Sequence, residues 1–190
     1  MRIEELSINQ RENVYNNHLT VDFPESEVKP LKQIEGLIEK DNYVCYGFFE
    51  GEDLLGYTYF VKTKSSNTLL LDYFAVNKQY RSNGIGSKII GSIKDKLHGK
   101  YSLLLGEVEN PEFACDDNDR SMRERRIAFY LKNGFKVSSV KSSVSVDDYI
   151  IITLNLSKEL NDKEIYQEMS EIYRVMFGEK FFNEHINISI

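Results

Sequence analysis

The chain has no tryptophan, and only three prolines and two cysteines among its 190 residues. Cys45 and Cys115 lie far apart, without the paired spacing of a metal or redox site. No metal is therefore expected, and a reducing cytoplasm is the simpler setting. Positive charge is also scarce: 24 Lys and Arg face 30 Asp and Glu, for a net charge of −6. That balance argues against general nucleic-acid binding, where a basic face dominates affinity. No apolar run approaches the length of a membrane span, and the opening Met1-Arg-Ile-Glu-Glu5 lacks the pattern of a signal peptide. Internal repeats and low-complexity segments are missing as well. These absences leave a soluble intracellular protein, long enough for one sizeable core.

What is present is organised around residues 71–90. A short apolar stretch ends at Val76, a polar turn holds Arg81, Asn83, Gly84 and Gly86, and a helical pattern follows. Ile85, Ile89, Ile93 and Leu97 recur every four residues with Ile90 beside them, which gives that helix one apolar face. A strand, a glycine turn and a helix start make an anion site. The first turn of a helix has free N–H groups and a partial positive charge, and glycines let a phosphate approach the backbone. Arg81 would add a full charge there. A P-loop is excluded because Gly86 is followed by Ser87 and then Lys88, the wrong order. A dinucleotide fingerprint is excluded because Ile89 stands where its third small residue belongs.

The rest of the chain reads as follows. Residues 1–8 suit an opening strand, and a polar helical stretch runs from Asn9 to Thr20 before Phe23-Pro24 breaks it. A helix is predicted over 29–40, with Pro30 at its start. A hairpin follows from 43–49 and 54–61, turning at Glu50–Asp53, and then a third strand over 68–76. Residues 103–109 form a strand on which Leu103, Leu105, Glu107 and Glu109 share a face. The loop 110–120, with Asp116, Asp117 and Asp119, reads as a solvated charge run, and Ser121-Met-Arg-Glu124 as the capping box of the next helix. Gly134 stops that helix. Strands over 135–146 and 149–156 turn at Asp147-Asp148. An amphipathic helix over 161–177 follows, then a tail of the kind that covers a sheet edge or pairs two subunits, so a homodimer is one expectation.

Arg81-Ser-Asn-Gly84-Ile-Gly86 resembles the pyrophosphate-binding turn of the GNAT superfamily of acetyl-coenzyme A-dependent N-acetyltransferases. Phe129-Tyr130, with Asn133-Gly134-Phe135 after it, is similar to the GNAT helix whose tyrosine faces the coenzyme A sulfur. The resemblance covers most of residues 43–156. It implies an α/β (α+β) fold, a mixed, mostly antiparallel central sheet flanked by helices, with residues 1–157 as the acetyltransferase domain and 158–190 as an added C-terminal helical extension. It further implies that the strands ending at Val76 and near Glu109 splay to admit the pantetheine arm. Coenzyme contacts then fall to Phe74, Ala75, Val76, Arg81, Ser82, Asn83, Gly84, Ile85, Gly86 and Ser87. Many members carry an Asn seven residues before the helix tyrosine and a small residue four before it. Here those positions are Arg123 and Arg126, so Arg125 and Arg126 face solvent or a coenzyme phosphate instead.

The chemistry implied is attack of a primary amine on a thioester. A lysine-like amine has only about 0.04% free base at pH 7, a handicap of roughly 4.6 kcal/mol, which a positioned carboxylate offsets in part. Glu107 and Glu109 are the candidate bases, with Asp72 third. Backbone N–H groups near Phe74 and Val76 would serve the oxyanion, and Tyr130 would protonate the departing thiolate. The acidic loop and net charge favour a small cationic amine as acceptor. Other readings remain: a protein N-terminal or lysine acetyltransferase, a non-catalytic acyl-coenzyme A sensor that keeps the turn but transfers nothing, and an ordinary nucleotide-binding α/β domain, which the missing third glycine disfavours.

Overall fold

The computed structural model describes residues 1–190. Strand β1 (Arg2–Glu5) leads to helix α1 (Ile8–Val14), a wider π turn (Tyr15–Leu19) and the short α2 (Thr20–Asp22). Ser7 caps α1 with a full capping box: its Oγ accepts from Gln10 N and its own N–H donates to Gln10 Oε1. Helix α3 (Leu31–Glu39) starts directly after Pro30, where the proline's missing N–H costs nothing. Then come β2 (Tyr43–Glu50), β3 (Asp53–Lys62), β4 (Thr68–Val76), α4 (Ile85–Leu97), β5 (Leu103–Glu109), α5 (Asp117–Lys132), β6 (Lys136–Val144), β7 (Asp147–Asn155), α6 (Asp162–Phe177), α7 (Glu179–His185) and β8 (Ile186–Ser189). The sheet has eight strands in the order β1-β2-β3-β4-β5-β7-β6-β8. The β1–β2, β2–β3, β5–β7, β6–β7 and β6–β8 ladders are antiparallel.

Two compact units divide the chain: Met1–Lys62 with Leu71–Lys96, and Thr63–Leu70 with Leu97–Ile190. In the first, α1 and α3 are clamped by a bidentate pair from Arg11 to Glu35 at 3.0 and 2.7 Å. The apolar face of α4 is buried through Ile89, Ile90 and Ile93, as its spacing predicts. Gly56 on β3 is required by packing. A Cβ there would meet the Ala75 carbonyl at 2.5 Å and Ile89 at 2.7 Å, so only glycine lets β4 and α4 come this close.

In the second unit, β5 is buried along most of its length and pairs with β7 from Leu103↔Asn155 to Glu109↔Tyr149. The β6–β7 register slips between Val137 and Lys141. The Ser138 side chain bridges that gap, donating to Ile151 O at 2.8 Å and accepting from Val140 N at 3.2 Å. Helix α6 fills the expected 161–177 span but for its first residue, Asn161, which caps it, and Gly178 follows at φ 83°. The tail resolves into α7 and an edge strand, β8, on β6.

Two local expectations are corrected. Helix α5 begins at Asp117, not Ser121, because Asp116 caps it by accepting from Asp119 N at 2.8 Å. Acidic residues suit the positive end of a helix, and Asp119 also pairs with Arg123 at 2.9 Å, one turn on. Most of the expected acidic loop is therefore the first turn of a helix. The β6–β7 turn is Ser145-Val146, with Ser145 at φ 57°, and Asp147 already belongs to β7.

Buried tyrosines are a feature of both units. Tyr57 and Tyr59 pack edge-to-face at 5.8 Å, and Tyr59 meets Tyr73 at 6.0 Å. Burial pushes the Tyr73 phenol up to about 12 and raises those of Tyr43, Tyr57, Tyr59 and Tyr173 further. An unfolded tyrosine loses its proton near pH 10. Above that pH the unfolded chain binds fewer protons than the folded one, so stability that is intact below about pH 10 is lost as pH rises through the folded values. The Tm is expected to fall above about pH 10, with tyrosinate absorbance from the buried rings appearing only as the circular dichroism of the fold disappears. Ionisation of all twelve tyrosines in the still-folded protein would contradict this.

Candidate active site

The turn after β4 is anchored before it reaches its glycines. Asn77 N donates to Leu55 O at 2.9 Å, and a single 3-10 turn over Lys78–Tyr80 carries the chain to Arg81. Ser82 and Gly84 both lie in the left-handed region, at φ 66° and 74°, and Gly84 O accepts the helical bond from Lys88 N at 3.2 Å. Arg81 through Gly84 are exposed, and Ile85, Gly86 and Ser87 are half-buried at the start of α4. No atom lies within 4 Å of where a Gly84 Cβ would be, so the approach to this helix start is open. The N–H groups of a helix's first turn lack intrahelical acceptors, and here they stand beside open space.

Arg81 is less available than its sequence position suggests. Its Nε donates to Val76 O at 2.8 Å and its Nη2 pairs with Asp22 at 2.5 Å. Asp22 also accepts from the Tyr57 hydroxyl at 3.0 Å. The guanidinium is thus oriented across the turn, with part of its charge offset by a carboxylate that no local pattern places there.

On β4, Ala75 is buried while Phe74 and Val76 are half-buried. Asp72, two residues before Phe74, is spoken for. Its Oδ1 binds Lys29 Nζ at 2.7 Å and its Oδ2 accepts from the Tyr43 hydroxyl. The Asp72 side chain is only 5% exposed and that of Lys29 11%. The lysine also lies 4.9 Å above the Tyr73 ring. Tyr73 fastens the same loop by accepting from Lys29 N at 2.9 Å and donating to Glu27 O at 2.6 Å.

In the second unit, Glu107 and Glu109 share β5 but have different partners. Glu109 forms an ion pair with Arg126 and a longer one, 3.9 Å, with Arg123. Arg123 is fixed in turn by Asp119 and by the Asn110 carbonyl, 2.9 Å from each. The two arginines that stand where the resembling family has an asparagine and a small residue therefore answer this carboxylate, while Arg125 donates to the Ser121 carbonyl. Glu107 accepts instead from the hydroxyl of Tyr173 on α6. Tyr130, near the end of α5, is half-buried, edge-to-face with Phe129 at 5.3 Å and with Phe135 at 5.1 Å. Its carbonyl accepts from Phe135 N at 3.1 Å, which closes the helix onto β6. Burial pushes the Tyr130 phenol up to about 12, although the charge of Arg126 works against the rise. Arg126 thus connects Tyr130 with Glu109.

Lys29, Tyr43, Asp22 and Ser142 carried no signal in the sequence. Tyr173 carried one: its phenolic oxygen sits on a face otherwise made of Ile165, Met169, Ile172 and Met176, and a buried hydroxyl requires a partner. No group of three or more His, Cys, Asp or Glu is placed to hold a metal ion, and no helix is long and apolar enough to cross a membrane.

The Acetyltransferase (GNAT) domain family matches residues 41–137. Among solved structures, a protein from Bacteroides thetaiotaomicron described as a GNAT-family acetyltransferase superposes with a TM-score of 0.76 at 17% identity, covering 94% of this chain and 99% of that one. The ribosomal-protein-S18-alanine N-acetyltransferase of Escherichia coli gives 0.59 at 18% identity over 85% and 97% of the two chains. An aminoglycoside 6'-N-acetyltransferase complexed with coenzyme A gives 0.61 at 14% identity over 85% and 100%. A search of curated protein sequences finds no match.

Breaking a buried ion pair from one side costs about 3–5 kcal/mol, whereas replacing both partners by apolar residues is often neutral. Lys29→Met is therefore expected to destabilise the protein by about 3 kcal/mol in urea unfolding, and the double variant Lys29→Met/Asp72→Leu to recover most of that loss. Equal losses in both variants would mean that packing, not charge, sets the cost.

Proposed function

Because the chain belongs to the GNAT family of acetyltransferases, with the domain spanning residues 41–137, we propose that it transfers the acetyl group of acetyl-coenzyme A directly to a primary amine bound in the same complex. The observation that carries this reading is the open helix start at Gly84–Ser87 after β4, a backbone built to receive a phosphate. Arg81 through Ser87 take the coenzyme pyrophosphate, and the backbone of Phe74, Ala75 and Val76 takes the pantetheine arm and the oxyanion. Asp22 holds Arg81 in place for that task.

Of the three carboxylates, Glu107 is the base we favour. Asp72 and Glu109 each form an ion pair with a cation, which ties them to the fold. Glu107 accepts a hydrogen bond from a hydroxyl on α6, which orients its carboxylate. As the amine nitrogen bonds to the acetyl carbon, its proton passes to Glu107, the C–S bond breaks and the sulfur leaves with the electron pair. Tyr130 meets that charge. Its phenol, at about 12, holds its proton more tightly than a thiol with an ordinary value of about 8.5. Complete transfer to sulfur is uphill by about 5 kcal/mol, and Tyr130 acts chiefly by donating a hydrogen bond to the leaving thiolate.

For the acceptor we favour a small cationic amine, supported by the net charge of −6 and by the fold shared with an aminoglycoside acetyltransferase. The self-pairing of Asp119 with Arg123 leaves Asp116 and Asp117 as the acidic residues at that end of α5. The two free cysteines suit a reducing cytoplasm.

Thiol release from acetyl-coenzyme A should appear with one class of a panel spanning polyamines, aminoglycosides, amino acids and short peptides. Glu107→Gln should lower kcat by about 10²-fold or more, and Tyr130→Phe by about 10²-fold, the low end for acid catalysis. Full turnover in Tyr130→Phe would remove its role. Acetyl-coenzyme A binding by calorimetry without thiol release from any amine would favour the sensor, and loss of that binding would remove the reading altogether.

A further inference from the structure

Glu107 is reached by a hydrogen-bond chain that begins two elements away. The Tyr173 hydroxyl bonds Glu107 Oε1 on one side and Ser142 Oγ, at 2.7 Å, on the other. Tyr173 is fully buried and Ser142 is 4% exposed. The direction of the chain follows from proton counting. An ionised carboxylate only accepts, so the single phenolic proton points at Glu107 and the serine must donate to the phenolic oxygen. The order is Ser142 Oγ–H to Tyr173 Oη–H to Glu107. Each link lends the next more donor strength in a buried setting.

We propose that Tyr173, on the C-terminal helix α6, is a positioning residue that keeps Glu107 ionised and aimed as the base, with Ser142 setting the direction of the chain. This rests on the assignment of Glu107 as base given above. The bond from Tyr173 holds Glu107 Oε1 before the substrate arrives. The tyrosine is well suited to this. Burial and the facing carboxylate raise its own phenol well above the ordinary value, so it remains a donor at any pH at which the fold survives. Among the ionisable groups tied to this chain, Tyr149 of β7 raises Tyr173 further, and Glu109, two residues along β5, pairs with Arg123 and Arg126 of α5. Helix α6 lies after residue 157, in the segment that the sequence sets apart as an extension. The proposal gives that segment a part in the chemistry.

The test is a carboxyl-carbon NMR titration of the full-length protein labelled at glutamate, with Glu107→Gln identifying the Glu107 signal. A donor to the charged form lowers a carboxyl's pKa, and its removal raises it. In Tyr173→Phe, which deletes only the hydroxyl, the Glu107 titration should move up by about one pH unit or more. In Ser142→Ala it should move the same way by less. The acid limb of thiol release from acetyl-coenzyme A, with the amine giving the fastest turnover, should shift by the same amount in Tyr173→Phe. An unshifted Glu107 titration in folded Tyr173→Phe overturns the proposal and leaves the base assignment standing. Full turnover in Glu107→Gln overturns the base assignment, even where the titration shift shows that the contact exists.

Discussion

A carboxylate taken out of water must be answered, by a cation or by donors, or it costs several kcal/mol. That constraint decides more of this structure than any single packing contact. Asp72, Asp22, Glu107 and Glu109 are each at least half-buried, and each has a distinct answer: Lys29 with Tyr43, Arg81 with Tyr57, Tyr173, and the arginines of α5. The kind of answer sorts the groups. Two glutamates two residues apart on one strand thereby have different surroundings.

The same logic acts on the turn after β4. An arginine left loose at a helix start would bind whatever anion diffused by and would spend its rotamer freedom doing so. Tethering it between the Val76 carbonyl and Asp22 orients the guanidinium in advance, which lowers the ordering cost of binding and tempers the charge. The exposed, left-handed backbone at Ser82 and Gly84 supplies the remaining geometry.

Much of the scaffold was legible because its signals are local. The four-residue spacing of the α4 isoleucines, Pro30 before α3, the hairpin residues and the glycines that close helices all act within a few residues of themselves. The start of α5 was misread for a reason of the same kind. Two capping patterns overlap there, and the earlier one wins because Asp116 and Asp119 serve the helix end together while Asp119 also gains an arginine. The long-range pairs were not legible. Lys29 to Asp72, Asp22 to Arg81 and Glu107 to Tyr173 span 43, 59 and 66 residues of chain, and although Asp72, Arg81 and Glu107 are marked by their local pattern, nothing within a few residues of them names their partners. Tyr173 came nearest, as one polar tip on an aliphatic face.

The last of those separations bears on the order in which the protein is made. Synthesis delivers the strands of the second unit through Asn155 before α6 leaves the ribosome, so β5, β6 and β7 can pair while Glu107 still lacks its phenolic donor. A nascent chain at that stage has the β5–β7 and β6–β7 ladders within reach but neither α6 nor the edge strand β8. Arrival of α6 supplies the hydroxyl partner of Glu107, and α7 and β8 follow it.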